Sequence, residues 1–221
     1  FRQHDDTFVS LLNKVRDNKI DQHTLDQLNE RYLPGFVPQD NEGYVYLVTH
    51  NYQAQQINEQ KLCSLPEKSW HFRSKITGTF PETSFPADEL LVFKLGAQVM
   101  FIRNDSSHRY CNGTLGTISD ISEKTISVRL LESGDVLEVQ PETWENIQYT
   151  LDEKKGEVHE ETIGTFKQYP LKLAWAITVH KSQGLTFEKA LIDIHQSFAH
   201  GQVYVALSRC RTLEGLVLTA P

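Results

Sequence analysis

No GxxxxGK(S/T) phosphate loop occurs in the 221 residues, and no acidic strand end follows one to hold magnesium. The chain as it stands therefore lacks the parts for phosphate-loop ATP hydrolysis on its own. Cysteine is scarce. Cys63, Cys111 and Cys210 form an odd set at unpatterned spacing, which excludes a disulfide framework and points to a reducing compartment. No uninterrupted apolar run is long enough to span a bilayer, and the first residues carry no signal-peptide pattern. An excess of positive charge is missing too: 22 Lys and Arg stand against 29 Asp and Glu, a formal net charge of −7. A polyanion can bind such a chain only through a local groove whose donors the fold assembles. His108 and Cys111 lie three apart with no second ligand pair at a suitable distance, so no metal site is assigned. GxSxG is absent as well, and Ser182 and Ser208 have no nucleophile-elbow context.

The length suits one large domain, or a domain with an insert, with enough apolar content for a core. Phe8, Leu11, Leu12 and Val15 recur at helical spacing behind the Asp5, Asp6, Thr7 cluster and predict a capped helix over 6–17. A second helix is predicted over 24–31, ending before Pro34 and Gly35. YVYLVT over 44–49 reads as a buried strand feeding a helix that carries Ala54, Ile57 and Leu62. Near the end, a strand over 189–194, a helix over 200–211 and a strand over 215–219 restore the same alternation, which is α/β winding. Between about 90 and 166 the pattern changes to short β-rich runs at 97–103, 114–121, 125–131 and 136–139, with a tight hairpin at Ser133 to Asp135. That spacing suits a small barrel.

Two strings carry chemistry. LAWAITVHKSQG, from Leu173 to Gly184, places hydroxyls, an imidazole, an ammonium and a Gln-Gly pair at the end of an apolar segment, a composition suited to phosphates. QVYVALSRCR, from Gln202 to Arg211, directs Tyr204, Ala206 and Leu207 at a core and leaves Arg209 and Arg211 at the helix end. HKSQG and YVALSR resemble the late motifs of superfamily 1 DNA helicases, in the petite-integration-frequency and RecD-like branch. The opening FRQHDDTFVSLLNKVR resembles that branch's fourth motif, and KLGAQVMFIRND with NGTLGTISDI resembles its middle stretch.

The resemblance implies an α/β fold: a second RecA-like motor domain with a parallel sheet over 1–88 and 166–221, interrupted by an SH3-like β-barrel insert over 89–165. It also implies the C-terminal part of an ATP-dependent 5′→3′ DNA helicase. ATP and Mg2+ would be held mainly by a first RecA-like domain outside this sequence, and single-stranded DNA, a duplex or a fork would be the other partners. A soluble, cytoplasmic, nucleoid-associated monomer without membrane contact is the implied setting, in DNA repair, recombination, or telomere or replication maintenance.

Carried over by motif, Arg209 and Arg2 become arginine fingers toward ATP, since a guanidinium delivers a rigid fork of donors to a leaving phosphate. The plain alternative is a surface arginine at an element end. Gln183 and Gly184 become the nucleotide-contacting loop, while Thr178, His180, Lys181 and Ser182 over one helical turn become a grip on the DNA backbone. Thr49, His50 and Asn51 form a second such grip, with helix capping by Asn51 as its alternative. Thr186 stands near the place where a sister branch carries an acid for the nucleotide sugar, so that contact is unassigned. Tyr110, Trp144 and Tyr149 are either base-stacking groups or barrel core. Two other classes compete: a non-motor barrel module, which leaves HKSQG and YVALSR without purpose, and a helicase relic acting as a scaffold, which would have lost the phosphate grips.

Overall fold

The structure is a computed structural model and describes residues 5–39, 42–152, 157–193 and 201–219. Arg2 lies outside them. The first elements are α1 (Asp6–Arg16), α2 (Gln22–Asn29), β1 (Val45–Val48), α3 (Asn51–Ser64), β2 (Trp70–Arg73), β3 (Lys75–Gly78), β4 (Leu90–Phe93), β5 (Gln98–Phe101) and β6 (Leu115–Ile121). They are followed by β7 (Ile126–Leu130), β8 (Val136–Val139), β9 (Glu142–Asp152), β10 (Glu157–Gln168), β11 (Leu171–Leu173), β12 (Ala176–Thr178), β13 (Ala190–Ile192), α4 (Gln202–Leu207) and β14 (Leu216–Leu218). Two compact units result, one from residues up to Ser64 together with those from Leu173 on, the other from Leu65 to Lys172.

The first unit is built on a parallel sheet in the order β12-β1-β13-β14. Its strands are short and apolar, with Val45, Leu47, Ala190, Ile192, Leu216 and Leu218 all buried, as expected for parallel strands covered on both faces. α1 forms where predicted: the Asp5 carboxylate accepts from the Phe8 amide at 3.1 Å, and Phe8, Leu11 and Leu12 turn into the core. α2 starts earlier than predicted, because Asp21 caps it by accepting from the Thr24 amide at 2.8 Å and the Thr24 hydroxyl at 2.6 Å. α4 is shorter than the predicted helix. The backbone beyond it is taken by a parallel bridge, in which the Phe187 amide donates to Arg209 O and the Arg211 amide to Phe187 O, so 209–211 cannot continue a helix.

The second unit holds a sheet in the order β11-β5-β6-β7-β8, matching the four strands read from the sequence. Gly134, at φ 78°, turns the β7–β8 hairpin as the SGD string predicts. Beyond the expected 89–165, this unit begins at Leu65 and ends at Lys172. The extra residues belong to it because β2 pairs antiparallel with β4, and β3 pairs antiparallel with β10. β9 and β10 form a hairpin of 11- and 12-residue strands that the sequence reading did not contain.

Candidate nucleotide and nucleic-acid site

Register places the two sequence-predicted backbone grips beside each other. β1 and β12 are adjacent and parallel, Val48 opposite Thr178, and the Val179 amide donates to Val48 O at 2.9 Å. The segments that leave their carboxyl ends, 49–51 and 179–184, therefore emerge side by side, at the sheet edge where α/β folds hold ligands.

In the first segment the Thr49 hydroxyl lies 2.7 Å from His50 Nδ1, and the Gln53 side-chain oxygen accepts from the Thr49 hydroxyl and the His50 amide, both at 3.2 Å. Gln53 thus ties down the start of α3. His50 and Asn51 are exposed, and the His50 ring lies 5.5 Å from Tyr52.

The second segment corrects the sequence reading in two ways. It is a run of turns after β12 rather than a helical turn, and its two hydroxyls do not face outward. Thr178 is 4 % exposed and Ser182 0 %. Ser182 Oγ donates to Val179 O at 2.7 Å, and Thr178 Oγ1 accepts from the Lys181 amide at 3.3 Å. Both hydroxyls satisfy backbone groups that the turn would otherwise leave unpaired. The exposed crest is His180, Lys181, Gln183 and Gly184. Gly184 adopts φ 87°, a conformation that costs glycine little.

Arg209 sits half-buried against the same turn. Its Nη1 donates to Ser182 O at 3.4 Å and Leu185 O at 3.3 Å, its Nε to Val205 O at 2.9 Å, and its Nη2 to Ser208 Oγ at 2.8 Å. At the other end of α4, the Gln202 amide nitrogen lies 3.5 Å from His180 Nε2. α4 and its exit therefore clasp the turn at both ends. Arg211 instead pairs with Glu188. Burial pushes the Cys210 thiol up to about 11, which leaves it neutral and inert.

Sequence reasoning missed Asn58. Its side-chain amide donates to Ala176 O and accepts from the Ala176 amide, both at 2.9 Å, so it pairs the outer edge of β12 as a neighbouring strand would. The available signal was a polar residue on the Ala54, Asn58, Leu62 stripe of α3. Arg31, also missed, donates to Leu216 O at 2.8 Å and Glu214 O at 2.6 Å and fixes α2 beside β14. Among the aromatics weighed, Tyr110 is buried and stacked on Phe101 at 3.8 Å, whereas Tyr149 is 62 % exposed.

The family profile described as DNA helicase Pif1, 2B domain, matches residues 82–121. ATP-dependent DNA helicase Pif1 of Bdellovibrio bacteriovorus is 34% identical over 223 residues, covering 98% of this chain. The chain belongs to the Pif1 helicase family. Human ATP-dependent DNA helicase PIF1 is likewise 34% identical, over 225 residues and 98% of this chain. The chain spans 48% of the length of the first relative and 33% of the second. Among solved structures, Bacteroides Pif1 in complex with ADP-AlF4 superposes with a TM-score of 0.90 at 41% identity, covering 100% of this chain and 50% of that one. Bacteroides Pif1 bound to single-stranded DNA gives 0.72 at 42% identity, with the same coverage. Among the described residues, no helix is long and apolar enough to cross a membrane.

Proposed function

We propose that this chain is the second motor domain of an ATP-dependent 5′→3′ DNA helicase, with a RecA-like first unit and an SH3-like insert in the second. The observation that carries the reading is the clasp around one turn. That turn, 179–184, leaves β12 beside the β1 exit, exposes an imidazole and an ammonium, and bears on its carbonyls the guanidinium of Arg209. A change in Arg209 on meeting a triphosphate would pass directly to the turn that faces DNA. His180 and Lys181, with His50 and Asn51, are the groups placed to hold phosphates without reading bases, as translocation requires. Gln183 and Gly184 offer an amide and an open backbone approach to the nucleotide. Thr178 and Ser182 act by shaping the turn.

ATP and Mg2+ would be held mainly by a first RecA-like domain of the same protein, which supplies the phosphate loop. Arg209 would deliver charge to the γ-phosphate, a role worth about three to five powers of ten in related hydrolases, and Arg2 is the second finger by motif. The relatives' names support the reaction, as does the solved complex of a relative with ADP-AlF4. A soluble monomer working on single strands and forks in the cytoplasm is the matching setting.

The test is Arg209→Ala and Arg209→Lys in the full-length protein. Loss of ATP turnover by about a thousandfold or more in both, with single-stranded DNA binding kept, supports the finger. Unchanged turnover sinks it. Equal loss of DNA binding and thermal stability would reduce Arg209 to a structural clasp.

A further inference from the structure

α3 starts at one of the two backbone grips, yet little apolar burial holds it to the sheet. Leu62 is its one buried residue; Ala54, Ile57 and Asn58 are half-buried, and Tyr52 is 64 % exposed. The direction of such a helix must come from directed bonds. In its first turn the Gln53 side-chain oxygen accepts from the Thr49 hydroxyl and the His50 amide, which ties the grip to the helix. About two turns from the helix start, Asn58 exchanges two hydrogen bonds with Ala176 of β12, donating to its carbonyl and accepting from its amide. Ala176 is 3 % exposed, so water has little access to either group.

β12 carries the other grip. Thr178 at its end accepts from the Lys181 amide, and on the side away from Asn58 the Tyr46 amide donates to Trp175 O at 2.8 Å and the Val179 amide to Val48 O at 2.9 Å. A closed frame results, with β1 joined to β12 by ladder rungs and α3 bolted to the outer edge of β12. The rungs alone leave α3 free to swing about the end of β1. Asn58 removes that freedom.

We propose that Asn58 is a positioning residue that fixes the 49–51 grip relative to the 179–184 grip, so that both act on one strand as a single body. The proposal rests on the helicase reading, in which His50 and Lys181 hold phosphates of that strand. A pair of grips already in place loses no conformational freedom at binding. A push reaching the 179–184 turn through Arg209 also passes to 49–51 only when the frame is stiff.

The test uses the full-length protein with Asn58→Leu, of similar volume and unable to bond, and Asn58→Asp, which keeps the acceptor and loses the donor. Anisotropy of a fluorescein-labelled oligothymidylate is followed across salt concentrations, well below each variant's melting temperature. Both variants bind about two- to thirtyfold more weakly, with an unchanged salt slope because no phosphate contact is lost. Lys181→Gln, by contrast, lowers the slope by about 0.7. Base pairs unwound per ATP on a forked duplex fall in both Asn58 variants.

A lower melting temperature with unchanged affinity and unwinding per ATP, while Lys181→Gln still binds weakly, makes Asn58 purely structural; it overturns the proposal and leaves the helicase reading intact. A reduced salt slope in Asn58→Leu means a lost contact and overturns it as well. Full affinity in both His50→Ala and Lys181→Gln removes the grips themselves, and with them the DNA site of the helicase reading. Amide exchange in the unaltered protein decides independently of how any variant folds. Oligothymidylate slows the Ala176 and Val179 amides together if the frame is one body, and slowing at Val179 alone overturns it.

Discussion

Asp105 is buried, and its carboxylate accepts from Arg109 three times: from Nε at 2.8 Å, from Nη2 at 3.0 Å and from the amide at 3.1 Å. The Arg109 hydrogen bond, first among the causes, holds the group down at about 2 instead of 3.8. A carboxylate lowered on folding stabilises the fold above its unfolded value, and the benefit disappears as pH falls through the folded one. Asp105→Asn should therefore lower the melting temperature at neutral pH, with the gap to the unaltered protein closing between about 4 and 2; a gap that stays constant across that range sinks the assignment. Thiol chemistry offers a second test at this scale. Cys63 and Cys111 are exposed and Cys210 is buried, so a thiol reagent should modify the first two in the native state and Cys210 only on unfolding. Fast native labelling of Cys210 would contradict its burial. None of these pairings was legible in the sequence, because Asp105 and Arg109 meet only when the 105–110 loop closes, with the Asp105 amide on Tyr110 O at 3.1 Å and His108 at φ 58°.

β12 is an edge strand of three residues, too short to hold its place through one neighbour. Asn58 supplies the other side. Asn58→Ala leaves the Ala176 amide and carbonyl without this partner and is expected to cost about 2–4 kcal/mol, from a penalty of about 1–3 kcal/mol for each unsatisfied group. Urea unfolding measures it, and a loss below about 0.5 kcal/mol would show that water replaces the side chain at no cost. β6 offers a parallel case. A Cβ at Gly116 would run into the Val128 side chain and meet Arg129 O at 2.8 Å, so Gly116→Ala should destabilise by about 1–3 kcal/mol through overpacking. α1 and four strands of the five-stranded sheet, β5 to β8, were legible because their apolar spacing matches their geometry. The β9–β10 hairpin was not: Ile147, Tyr149 and Val158 remain exposed, so no alternation toward a core marks its outer half. The turn at 179–184 was misread as helical for the opposite reason, since burial of Ser182 depends on packing that composition does not reveal.

At the scale of the molecule, a net charge of −7 must be reconciled with the polyanionic ligand of the proposed reading. The exposed cations that address DNA in the proposed reading are few and local, so binding should weaken with added salt with only a small slope, about 0.7 per phosphate held. A salt-independent affinity would argue against backbone contact altogether. Purified alone, the chain should show no ATP turnover, because nothing in its sequence can cradle a β-phosphate; measurable hydrolysis would overturn that. By itself the sequence determined the α/β alternation, the buried strands β1, β13 and β14, the strands β5 to β8 and the family motifs, since each depends on residues close together in the chain. Tertiary structure alone decided that β1 and β12 lie adjacent, that Arg209 rests on the turn of Ser182 and Leu185, and that Thr178 and Ser182 are buried. The first of those facts joins residues more than a hundred positions apart, the second joins residues 24 and 27 apart, and the third depends on which side of a turn meets the core; local propensity carries no information about any of them.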